Sequence, residues 1–121
     1  MMNLVALSAA LLAIACNDDG LVGQRCVIGT DAGNSDQVIV ASPALDCPTR
    51  TCLHAPGGDD LCTADCTSDR DCEAVAGSPC ASGFTCAVPV VVGPFACRRM
   101  CMCRDGLDIP PDGLPPPEAC R

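Results

Sequence analysis

Thirteen cysteines in 121 residues are the side chains with the most chemistry to offer. A thiolate binds soft metals, attacks electrophiles or pairs with a second thiol, and the redox compartment decides which of these prevails. Cys62/Cys66 and Cys97/Cys101, each separated by three residues, and Cys101/Cys103 have the short spacings of soft-metal ligands. The first two pairs would together supply four zinc ligands. The competing expectation, which an oxidising compartment favours, is that all of them are disulfide partners. No Cys-x2-Cys occurs, so a thioredoxin-type redox role has nothing to rest on. Thirteen aspartates raise calcium binding, but Asp31, Asn34 and Asp36 have only loosely suitable spacing and the EF-hand pattern is absent. Aspartate is also the ordinary residue of turns and of solubilising surfaces. His54, the one histidine, lies between turn signals and is expected to face solvent. Without a Gly-x-Ser-x-Gly elbow or a second histidine, no general-base scheme assembles around it. The chain is therefore not read as an enzyme, and no catalytic residue, metal or cofactor is assigned.

Composition narrows the partners. Seven arginines against fifteen acidic groups give a net charge of −8, and there is no lysine, tryptophan or tyrosine. Neither a phosphate-neutralising patch nor a base-stacking platform can be built from these residues, which excludes nucleic acid.

The amino-terminal region is an address. Residues 4–15 are uncharged and apolar, too short for the roughly 18–20 residues of a bilayer span but right for a secretory h-region. They end in Ala13-Ile14-Ala15-Cys16, with small residues where a signal peptidase must fit the chain. Leu12-Ala13-Ile14-Ala15-Cys16 resembles a bacterial lipobox, although Ala13 stands where leucine is commonest and no basic residue precedes the apolar run. The resemblance implies that Cys16 receives a diacylglycerol and becomes the new amino terminus. Ordinary cleavage at the same site, freeing a secreted protein, is the alternative. With Cys16 assigned to lipid, an even dozen remains: Cys26, Cys47, Cys52, Cys62, Cys66, Cys72, Cys80, Cys86, Cys97, Cys101, Cys103 and Cys120. Six disulfides are expected from them, with on the order of 10⁴ pairings open.

These staples are needed. Eleven glycines and eleven prolines interrupt a chain poor in bulky side chains, and apolar burial alone would struggle against an ordering cost of roughly 1.5 kcal/mol per residue. The expected fold is small, disulfide-rich and loop-rich, with short β-strands or a hairpin and at most one short helix. Residues 1–15 form the signal peptide, 16–25 a lipid-anchored tether and 26–121 a single stapled domain. Strands are expected at residues 26–28 and 37–41, and loop from 42 to 60. A helix of about two turns is expected after Ser68, with Asp69, Asp71 and Glu73 near its start and Gly77 and Pro79 ending it.

Residues 84–92 and 95–103 read as a hairpin about Gly93-Pro94. A two-residue loop there sets Cys86 opposite Cys101, and a bridge between them is expected. Pro89 argues for an edge strand or a bulge. Residues 109–117 are expected to be polyproline-like, stapled back by Cys120. The tip formed by Val90, Val91, Val92, Gly93, Pro94 and Phe95 is the candidate binding loop; the competing expectation is that its valines fill the core.

The run CTADCTSDRDC, followed by Cys80-Ala-Ser-Gly-Phe-Thr-Cys86, resembles the small cysteine-rich lipoproteins of myxobacteria and their relatives. The Cys-x-x-Asp-x-Asp-Cys element is also similar, faintly, to eukaryotic four-disulfide-core and Dickkopf-like modules. The first likeness implies a lipoprotein of the bacterial cell envelope, on the outer rather than the inner membrane. It supplies no catalytic residues. The expected role is a structural or interaction module. Its expected partners are the membrane, through lipid, and an envelope or extracellular protein. An inhibitor or binder using the 90–95 loop is the second reading, and a metal-binding thiol protein the third.

Overall fold

The computed structural model describes residues 20–29 and 36–121. The expected signal peptide, Cys16 and tether residues 17–19 lie outside the described residues, as do Asp31 and Asn34. Among the described residues no helix is long and apolar enough to cross a membrane.

Alternating side chains and tight turns give two small antiparallel sheets. The first joins β1 (Ile39–Ala41), β2 (Cys52–His54) and β3 (Leu61–Cys62), with Val40 opposite Leu53 and Cys52 opposite Cys62. The second joins β4 (Phe84–Ala87) to β5 (Met100–Cys103). Period two sorts the cargo of each strand. In the first sheet Cys52 and Cys62 pack with Cys26, Cys47 and Ala44, while Leu53 turns towards Ala87 and Met102 of the second sheet. On the second sheet Phe84, Cys86 and Cys101 face a third cluster with Val22, Leu61, Cys72 and Cys80. Half-cystines thus stand where a larger protein would place leucine and isoleucine.

The expected dozen forms six disulfides: Cys26–Cys52, Cys47–Cys62, Cys66–Cys86, Cys72–Cys101, Cys80–Cys103 and Cys97–Cys120. The first two fix the first sheet and its flanks. The next three bind β4 and β5 to residues 66–80, and the last returns the tail. The fold is disulfide-rich, loop-rich and strand-containing, as the composition required.

Several local expectations fail, each for a tertiary reason. The segment 26–28 is not a strand. The pairing comes earlier, where Gly23 donates to the Cys62 carbonyl (2.9 Å), Cys62 to the Gln24 carbonyl (2.7 Å) and Cys26 to the Asp60 carbonyl (3.1 Å). Residues 42–60 are not all loop, because β2 lies within them with all three of its residues buried. The helix after Ser68 is a single 3-10 turn, Asp69–Asp71. It stops because Cys72 is drawn to Cys101 and Ala74 pairs with Val22 in a parallel bridge. Tertiary bonds here override a weak local propensity.

The β4–β5 register is the expected one, with Cys86 opposite Cys101, but the expected bridge and two-residue loop are both absent. β4 ends at Ala87, two residues before Pro89, and β5 begins at Met100. Cys86 and Cys101 share the face on which residues 66–72 lie, and each bonds upward to that segment rather than across the ladder. In the tail, Pro117 is polyproline-like (φ −55°, ψ 148°), Gly113 donates to the Pro110 carbonyl in one turn, and Cys120 is the expected staple.

Candidate functional site

The hairpin beyond β4 and β5 narrows again at Val90, whose carbonyl accepts the Cys97 N–H at 3.0 Å. This bond keeps the register of the ladder below it and projects residues 91–96 as a loop. Gly93 takes φ 82° and Cys97 φ 61°, left-handed conformations that turn the chain. Inside the loop Ala96 donates to the Gly93 carbonyl (3.1 Å) and Arg98 to the Phe95 carbonyl (3.2 Å).

The base of this loop is clamped from three sides. Cys97 is bonded to Cys120. Arg98 lies over the Phe95 ring, 5.0 Å from its centroid, and pairs with Asp65. Arg99 donates to the Thr67 carbonyl at 2.7 Å, while its own carbonyl accepts the Cys66 N–H. Held this way, the apex faces water: Val91 is 44% and Val92 77% exposed. Gly93 and Pro94 are also exposed, and Val90 and Phe95 are half-buried. The expectation that Val91 and Val92 fill the core is thereby corrected. Val22, Leu61, Phe84, Met100 and the half-cystines occupy that space instead.

Beneath the loop, Asp69 locks the 3-10 turn to β4. Its carboxylate accepts the Cys86 N–H (2.8 Å) and the Thr85 hydroxyl (3.1 Å), and pairs with Arg104 (2.7 Å). The Cys86 N–H is the main reason that the carboxyl titrates below the ordinary aspartate range; it outweighs an opposing desolvation, and Thr85, Arg104 and Arg99 add to the lowering. Asp71 is lowered likewise, by the backbone and hydroxyl of Thr67 and the Ser68 N–H.

The other candidates are dispersed or committed. Cys62, Cys66, Cys97 and Cys101 fall in four different disulfides. Sulfurs of Cys66, Cys72 and Cys101 do converge within 4.8 Å, as do those of Cys26, Cys47 and Cys62. They belong to neighbouring disulfides, whose sulfurs are not the thiolates that zinc requires. Asp59 faces Arg25 (3.8 Å), whereas Asp60 faces His54. His54 corrects its expectation: it is 2% exposed on β2, with Nδ1 2.6 Å from Asp60 Oδ1. His54 is thus a buried strand residue held against a carboxylate, not a solvent-facing loop residue.

No known protein family, curated protein or solved structure matches this chain. One feature had no sequence signal at all. A cavity of about 640 Å³ opens between the sheets, walled by Leu53, Leu61, Phe84 and Met102. Its walls come from four strands of two different sheets, so no local motif announces it.

Proposed function

We propose that this chain is an extracytoplasmic interaction module, anchored to the cell envelope through Cys16, that presents the 90–95 loop to a protein partner. The observation that carries the reading is the pairing of exposure with rigidity at the tip. Val91, Val92 and Pro94 form a short apolar stretch open to solvent, on a loop braced by a disulfide, a cation–π contact and backbone bonds. An apolar loop held in one conformation loses little entropy on docking, which favours binding. Exposed contiguous apolar surface on a small stapled protein is costly to solubility unless it is used. The lipid anchor rests on the lipobox-like residues 12–16, and six disulfides suit an oxidising compartment.

A photo-crosslinking residue placed at Val92 in the intact cell tests this. The reading expects a discrete protein adduct from position 92 and none from the exposed Asp112. Adducts of equal yield from both positions, or none from either, would contradict it.

A further inference from the structure

Two exposed turns contribute to the lining of the inter-sheet cavity and so face its solvent side. The first, between β2 and β3, carries Asp59; the second follows β5 and carries Asp105. Each turn thus contributes one carboxylate to a cavity whose inner walls are apolar. No arginine or histidine is among the residues that line it. Asp105 is fixed in place by the backbone N–H groups of Ala81 (3.0 Å) and Ser82 (2.9 Å). The neighbouring Arg104 is turned away, engaged with Asp69 and the Phe84 carbonyl. Asp59 meets Arg25 only at 3.8 Å, with both side chains more than half exposed. Such a pair is weak enough for a better-placed cation to displace.

We propose that this cavity binds a small amphiphilic cation. Its aliphatic part lies against Leu53, Phe84 and Met102, and its ammonium or guanidinium group lies at the mouth between Asp59 and Asp105. The volume falls within the range of small-molecule sites, roughly 300–1,000 Å³. The charge pattern sets the class. A fatty acid would bring a third carboxylate to the rim, and a neutral hydrocarbon would leave both carboxylates without a partner from the ligand. The net charge of −8 acts in the same direction at longer range.

Isothermal titration of the disulfide-intact protein with decylammonium, decanoate and decyl glucoside, each below its micelle concentration, tests the assignment. Decylammonium is expected to bind at least roughly tenfold more tightly than the other two at low salt, with the margin shrinking as salt is raised. Asp59→Asn, an exposed change that leaves the core untouched, is expected to narrow the margin. Leu107, half-buried after β5, also lines the cavity; Leu107→Trp fills it and is expected to abolish binding, with disulfide mapping confirming that the variant folds. Equal affinity for all three probes, no binding of decylammonium, or full affinity in a correctly bridged Leu107→Trp protein would overturn the proposal.

Discussion

Single carboxylates hold much of this molecule together. Asp69 joins the 3-10 turn, β4 and Arg104, and its replacement by alanine is expected to lower stability by about 1 kcal/mol, a value discounted for its exposure. Asp71 and Asp105 act similarly in their own turns, and Asp105 is lowered chiefly by the Ser82 hydroxyl and then the Ala81 N–H. All three titrate below the ordinary 3.8 in the folded protein. Their contribution is therefore fully present above that value and is lost as pH falls through it towards the lowered values. Thermal unfolding followed by circular dichroism should show a stability plateau near neutrality and a fall below about pH 4. The fall should be shallower in Asp69→Asn. His54 shows the limit of reading one residue from its neighbours. Thr51 and Pro56 suggested a surface loop, yet pairing with β1 on a buried strand took it out of solvent. Asp60→Ala should cost about 1–3 kcal/mol, because the acceptor beside buried Nδ1 is lost.

At the scale of elements, the β4–β5 register was legible because two apolar runs of period two flank one turn signal, and their pairing follows by symmetry. The first sheet was less so. Cys52-Leu53-His54 is too short to carry a pattern, and it becomes a strand only because β1 and β3 flank it. The helix failed for the converse reason, since good caps on a short segment cannot outweigh a disulfide that pulls Cys72 out of line. Disulfide partners were illegible in principle, as Cys86 and Cys101 show: they are opposed in the ladder yet bonded elsewhere. The elements differ in what their staples support. Replacing Cys72 and Cys101 by alanine should cost about 2–5 kcal/mol, because that bridge crosses the core. Replacing Cys97 and Cys120 by serine should cost less, because that bridge joins exposed and half-buried chain outside the three clusters. The replacement should free the tip and tail, read as faster proteolytic cleavage within residues 88–99.

The whole molecule substitutes covalent links for an apolar core. Three small clusters, each lined by half-cystines or by one or two large side chains, would not order the chain alone. Covalent bracing also explains how a chain with so little apolar material leaves Val91 and Val92 in water: the loop is shaped by its staples and so is free to present them. The candidate tip was legible as a sequence of residues, but its exposure was not, since exposure depends on what else fills the core. The six named bridges carry this architecture, and peptide mapping of the unreduced protein by mass spectrometry tests them most directly. It should recover Cys66 joined to Cys86 and Cys72 joined to Cys101, with none of the twelve cysteines alkylated before reduction. A peptide joining Cys86 to Cys101, or several of the twelve thiols free without reduction, would contradict it.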